Sequence, residues 1–208
     1  DWLVPRLNGI PHFHKPPLIY FFTAMVHPFG GNGFWAQESV IAGLAACVLF
    51  FMARQQGWPF AWTYPLLMLL LERSSEYTDG GGYTRSYSTY FAIFTVAAAL
   101  MMRIGTRQAL TVGALIAAVF MLQQNEIVPI TIVALGAVAA RYYALPLGDR
   151  SSVLGPVRYL LLVAAGSLLA MAPFVLFFAL HGALSALMDG AFTYNFAYVA
   201  RRTLTQKV

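Results

Sequence analysis

Charge is what this chain most conspicuously lacks. Only 10% of its 208 residues are Asp, Glu, Lys or Arg, against roughly 25% in ordinary soluble domains. Set beside 59% hydrophobic residues, that deficit excludes a soluble globular protein. Cysteine is nearly absent too. Cys47 stands alone in an apolar run, which excludes a disulfide framework and a cysteine-based metal centre and leaves it a helix-packing role. There is no internal repeat, and no low-complexity tract apart from the glycine run Gly80–Gly82. The net charge of +5 comes without any basic cluster. Cations dispersed singly do not make a nucleic-acid face. No signal peptide is visible, and the first residue is Asp1 rather than Met. The sequence therefore reads either as processed or as part of a longer polypeptide.

Long apolar runs fill the space that charge leaves. A membrane span needs about 20 apolar residues. Phe34–Ala53 meets that length, and Trp58–Leu71 is shorter but strongly apolar, with Trp58, Trp62 and Tyr64 as interfacial anchors. Tyr87–Met102, Ala109–Leu122, Ile127–Ala140 and Tyr159–Leu180 follow, the last with Pro173 marking a kink. The polar stretch Gln123-Gln124-Asn125-Glu126 separates two of these runs. Pro17–Val26 is too short to span and reads as an interfacial or re-entrant helix. The expected fold is an all-α polytopic membrane protein, a bundle of about six transmembrane helices with outer-face loops and short interfacial helices. One membrane domain covers 34–180, preceded by an outer loop, 1–33, and followed by an outer-face segment, 181–208.

Alternation of six spans gathers Arg54, Arg103, Arg107, Arg141, Arg150 and Arg158 on one side, with Asp149 as the lone acid there. The positive-inside rule makes that side cytoplasmic. His12, His14, Lys15, His27, Glu72, Arg73, Glu76, Asp79, Arg85, His181, Asp189, Arg201 and Arg202 fall on the opposite side. That face carries the mixture of acids, bases and imidazoles that chemistry requires. The expected location is a bacterial-type cytoplasmic membrane, crossed several times, with the active face outward.

The run Asn8–Phe22, NGIPHFHKPPLIYFF, sets a lysine, two histidines and a Pro-Pro pair against an aromatic, apolar stretch. Pro16 and Pro17 fix φ and hold the residues before them extended. Lys15 is thus a rigidly mounted cation at a membrane boundary. It suits a lipid phosphate; it equally suits a snorkelling lysine ahead of a proline-started helix.

The longer stretch DWLVPRLNGIPHFHKPPLIYF resembles the first outer-loop signature of the GT-C membrane glycosyltransferases. That group holds the protein O-mannosyltransferases and the lipid A aminoarabinose transferases. GNGFWAQE (Gly31–Glu38), GGGYTRSY (Gly80–Tyr87) and FTYNFAYV (Phe192–Val199) are also similar to bacterial members. Only the KPPL run is specific. The resemblance implies an enzyme that moves a hexose or pentose from a polyprenyl-phosphate donor to a lipid, glycan or protein acceptor. The chain departs from the pattern in two places. The group's principal catalytic aspartate belongs upstream of DWLVP, a part absent here, so the resemblance implies a glycosyltransferase lacking that residue, or the N-terminal membrane portion of one. In similar sequences an acid precedes the lysine of KPP, and here His14 stands instead.

Such a transfer separates charge between an oxocarbenium-like sugar and a departing phosphate, so cations near the phosphate accelerate it. Lys15 is the first candidate. Arg201 and Arg202 form the second, although adjacent arginines at an interface also bind lipid headgroups. Arg85 is the third, and relatives often carry an acid near its place. Asn195 and Tyr198 belong to the donor-binding set through the FTYNFAYV similarity, with belt anchoring as the other reading of the aromatics. Glu76 and Asp79, in a glycine-rich stretch able to approach a ligand closely, are the candidate acceptor-activating carboxylates; a solvated loop is the alternative. His12 and His14 alternate as on an extended strand. With a carboxylate they can bind a divalent metal, or they form an uncoordinated hydrogen-bonded pair. No cofactor is required by the sequence.

A second class of function stays open. An acid at membrane depth is costly and usually functional, and Glu126 beside Pro129 would fit a transporter or flippase site if 109–140 were one broken helix. If 109–140 is two helices, Glu126 belongs to the turn between them.

Overall fold

A computed structural model describes residues 6–7, 10–11, 17–72, 82–150 and 153–189. Apart from one two-residue ladder, regular structure among the described residues is helical. The ladder pairs β1 (Arg6–Leu7) with β2 (Ile10–Pro11), antiparallel, Leu7 opposite Ile10. That register leaves Asn8 and Gly9 between the strands, the residue pair that two-residue hairpin turns favour.

The helices follow in order: α1 (Pro17–Val26), α2 (Gly30–Gln55), α3 (Thr63–Glu72), α4 (Gly82–Met101), α5 (Thr106–Leu122), α6 (Ile127–Ala144), α7 (Leu147–Arg150), α8 (Pro156–Leu180) and α9 (Leu184–Met188). Three stretches are long and apolar enough to cross a membrane: Ala36–Gln55, Gln124–Ala144 and Pro156–Leu180. Only 11% of the positions in each of the latter two are buried against protein. Leu168, Leu169 and Leu176 of α8 and Ile132 of α6 stand more than half exposed. Apolar helices this poorly covered by protein belong against lipid.

α5 is the central helix, buried along much of its length, with Val112, Val119 and Leu122 fully covered. It crosses α8 at two glycines. A methyl group at Gly113 would overlap the Val163 carbonyl, and one at Gly166 would overlap the Leu110 carbonyl. The Ser167 hydroxyl donates to the Gly113 carbonyl at 2.8 Å, closing the crossing. Only glycine, without a Cβ, lets the two backbones come this close, so this pair sets where the helices cross.

Turn chemistry explains where helices stop. Beyond α2, Gly57 takes φ +69°, its N–H donating to Arg54 O while Trp58 N–H reaches Ala53 O. Beyond α8, Gly182 at φ +64° repeats the pattern, with Gly182 N–H to Ala179 O and Ala183 N–H to Phe178 O. Both are glycine-terminated Schellman ends, in which the left-handed residue satisfies carbonyls the helix leaves over.

Several expectations are corrected. The GGGYTRSY segment is not a loop throughout: α4 begins at Gly82, so Arg85 lies in a helical first turn. The run from Trp58 does not start a helix at once. Positions 58–62 form turns, with Phe60 at φ +52°, and α3 has only 10 residues. At about 1.5 Å per residue that helix covers roughly half of a bilayer's hydrocarbon core. Arg141 lies inside α6, which continues to Ala144, rather than in a loop after it. Cys47 is exposed on α2 rather than buried in the helix packing.

Candidate functional site

The described helices form two ends of different chemistry. Gln37 of α2, Phe22 of α1 and Tyr87 of α4 meet at one of them: the Tyr87 hydroxyl donates to Gln37 Oε1 at 3.1 Å, and the Phe22 and Tyr87 rings lie 5.0 Å apart. α1 is the organising element here. Leu18 and Ile19 are each 8% exposed, so the short helix is tucked into the bundle rather than laid on its surface. Its Phe21 meets Phe174, Phe177 and Phe178 of α8 edge to face, at 4.7, 5.4 and 6.2 Å. Edge-to-face rings lock an orientation as well as burying area. A proline at the first helical position costs nothing, because its missing N–H would have no partner there. Pro17 therefore starts α1 cleanly, and the chain carrying Lys15 joins the helix at that point.

The same end carries Glu126, in a 3-10 turn, Gln124–Glu126, that joins α5 to α6. Residues 109–140 are thus two helices, with Pro129 in the first turn of α6, where a missing N–H is harmless. His27 begins a 3-10 turn after α1, and His181 follows α8. The His181 Nδ1–H donates to Phe177 O at 2.8 Å and its ring stacks on Phe177 at 4.1 Å. Both histidines sit at helix ends, as expected.

Most sequence-selected residues lie outside the described residues: Lys15, His12, His14, Glu76, Asp79, Asn195, Tyr198, Arg201 and Arg202. Arg85 is described through its backbone alone. Among the described residues no group of three His, Cys, Asp or Glu side chains could hold a metal. The elements flanking these segments do converge. The N-terminal parts of α2 and α4, the C-terminal parts of α5 and α8, and α1 itself share one buried cluster or its aromatic fringe.

At the opposite end sits an arrangement that sequence reasoning missed. Gln108, fully buried in the first turn of α5, directs its side-chain nitrogen at the carbonyls of Ala98, Ala99 and Met102, at 3.0, 2.9 and 3.1 Å. Arg141 reaches from α6 to two of the same carbonyls, Ala99 O at 2.6 Å and Met102 O at 2.9 Å. Ala99 O and Met102 O lie at the end of α4, where a helix leaves carbonyls without an internal partner, while Ala98 O also accepts the Met102 N–H at 3.3 Å. A guanidinium there also opposes the negative end of the helix dipole. The available signal was a glutamine opening an apolar helix, with an arginine inside the apolar run that ends at Ala144. Nearby, the Gln108 Oε1 and Tyr159 hydroxyl are buried without a hydrogen-bond partner among the described residues.

No family model, no curated protein and no solved structure matches this chain.

Proposed function

We propose a membrane glycosyltransferase that moves a sugar from a polyprenyl-phosphate donor to a lipid, glycan or protein acceptor of the cell envelope. The work would be done at the outer face of a bacterial-type cytoplasmic membrane. The observation that carries the reading is the KPP run feeding directly into α1, a short helix buried at the end of the bundle remote from the arginines. In the sequence Lys15 stands two residues ahead of that helix, which places a cation next to a packed element.

The finer architecture belongs to the same proposal. α2, α3, α4, α5, α6 and α8 act as six spans of a GT-C-like bundle, α3 and α5 being the short ones. Arg54, Arg103, Arg107, Arg141, Arg150 and Arg158 then face the cytosol together, as the positive-inside rule asks. The chemistry follows from the residue types. Lys15 holds the phosphate, with Arg85, Arg201 and Arg202 as further cations and Asn195 and Tyr198 against the donor. The bond between sugar C1 and the phosphate oxygen breaks as the acceptor oxygen bonds to C1. Glu76 or Asp79 takes the acceptor's proton, and the electron pair of the broken bond leaves on the phosphate. The transporter alternative asks for an acid within a broken membrane helix; Glu126 in a turn between two helices weighs against it.

The test is Lys15→Ala in the full-length protein, assayed with a defined polyprenyl-phosphate sugar. Removing a preorganised charge from a departing oxyanion should lower turnover about 100-fold or more, with expression and insertion intact. Wild-type turnover by that variant removes Lys15 from the site.

A further inference from the structure

The arginine-bearing end contains a cavity of about 180 Å3 between the last turns of α6 and the first turns of α8. Its walls include Leu135, Val138 and Tyr142 of α6 and Pro156, Tyr159 and Leu160 of α8. Tyr143 and Leu160, both at its rim, are 62% and 51% exposed. The cavity therefore opens sideways, onto the apolar surface the long helices present to the membrane. Walls of this composition offer water too few partners to hold it. An engineered apolar cavity of about 150 Å3 stays dry and binds benzene, so this one takes hydrocarbon on the order of six carbons long.

One guanidinium lies against the cavity's wall, and two further arginines adjoin lining residues in the chain. The Arg150 guanidinium lies 5.5 Å from the Tyr143 ring and 5.9 Å from the Tyr142 ring, which both line the cavity. Its Nε–H donates to Leu145 O at 3.1 Å and its Nη2 to Tyr143 O at 2.6 Å. Those bonds fix its direction and use two of a guanidinium's five N–H groups. The rest have no acceptor among the described residues. Arg158 occupies the same turn of α8 as Pro156 and Tyr159. Arg103 flanks Ile104, another wall residue. Asp149 is the one acid among the described residues at this end.

Apolar volume opening to lipid, with arginine beside it, fits an amphiphile that is both hydrocarbon and anion. Arginine pairs with phosphate through two parallel hydrogen bonds, and basic pockets between membrane helices select anionic headgroups. We infer that the cavity between α6 and α8 binds one anionic glycerophospholipid, an acyl chain in the slot and the phosphate held by Arg150 and Arg158. The inference rests on the membrane nature of the helices and is independent of glycosyl transfer.

The experiment is native mass spectrometry of the full chain, titrated separately with phosphatidylglycerol and phosphatidylcholine of identical acyl chains. Two arginines near a headgroup should favour the anionic lipid about ten-fold. Arg158→Gln, which breaks no protein hydrogen bond among the described residues, should shrink that preference severalfold. Arg150→Gln should remove most of it. Ala139→Trp fills the slot and should lower retention of both lipids alike, so the outcome does not hang on Arg150→Gln folding. Equal retention of the two lipids by the wild type would overturn the assignment. So would unchanged phosphatidylglycerol binding in Ala139→Trp, or full displacement of the lipid by inorganic phosphate, which would mark a free-anion site.

Discussion

At the arginine-bearing end of the bundle side-chain nitrogen closes α4 and α6 while α2 stops on the Gly57 reversal, whereas the opposite end is packed with aromatic rings. At the first, Gln108 and Arg141 converge on carbonyls at the end of α4. At the second, α1 fills the space between helices with Leu18, Ile19, Phe21 and Phe22. Gln108 and Arg141 are thus committed to backbone carbonyls. In the sequence Lys15 precedes α1, and Glu76 and Asp79 fall between α3 and α4, outside the described residues. A polar clasp fixes an end; an aromatic packing with a helix tucked into it supports an end whose polar groups have other work.

That contrast can be broken at three depths. The deepest break is the glycine crossing shared by both ends. Gly113→Leu pushes a side chain into the Val163 backbone. Because backbone cannot yield as a side chain can, the loss should reach about 3 kcal/mol, the top of the usual overpacking range. The readout is midpoint unfolding in detergent, and an unshifted midpoint would mean that α5 and α8 do not cross there.

Next comes the clasp. Arg141→Ala removes two charge-assisted bonds to α4 and should cost about 1.5–3 kcal/mol. Gln108→Leu should cost a little less, since it also deletes the orphaned Oε1 and so relieves one burial penalty of roughly 1 kcal/mol or more. The two bind the same carbonyls, so the double variant should cost less than the sum of the singles. Strict additivity would separate the two residues.

The smallest effect belongs to the aromatic end. Tyr87→Phe deletes the bond to Gln37 and keeps the ring packing on Phe22. A loss of about 1 kcal/mol is expected. A loss rivalling that of Arg141→Ala would show that the aromatic end also depends on polar closure.

How much of this could be read in the sequence follows from what apolarity reports. The apolar runs located every long helix, and the isolation of Pro17–Val26 as a short element matches α1 at both ends. The break at Gln123 correctly divided α5 from α6. Polar first turns escaped notice, because a lipid-facing criterion is blind to helix that is not apolar: Gly82–Ser86 belongs to α4 although it reads as loop. The start of α3 was misjudged because Pro59 and Phe60 carry the chain through a turn before Thr63. The pairing of Arg6–Leu7 with Ile10–Pro11 has only a weak sequence signal, two residues on each side of an Asn-Gly pair. Gln108 and Arg141 were beyond reach, since their partners are carbonyls 6–10 and 39–42 positions away. The chemistry-bearing residues, Lys15 above all, remain sequence inferences that the described helices frame.

The account turns on the two ends facing opposite sides of a membrane, with the acidic and imidazole-bearing end outward. Single cysteines at Asp79→Cys and Asp149→Cys, each in a Cys47→Ser background, can be probed with an impermeant thiol reagent on intact cells. Position 79 should label from outside and position 149 only after the membrane is opened. Labelling of 149 but not 79 in intact cells would contradict the orientation and the outer-face active centre together.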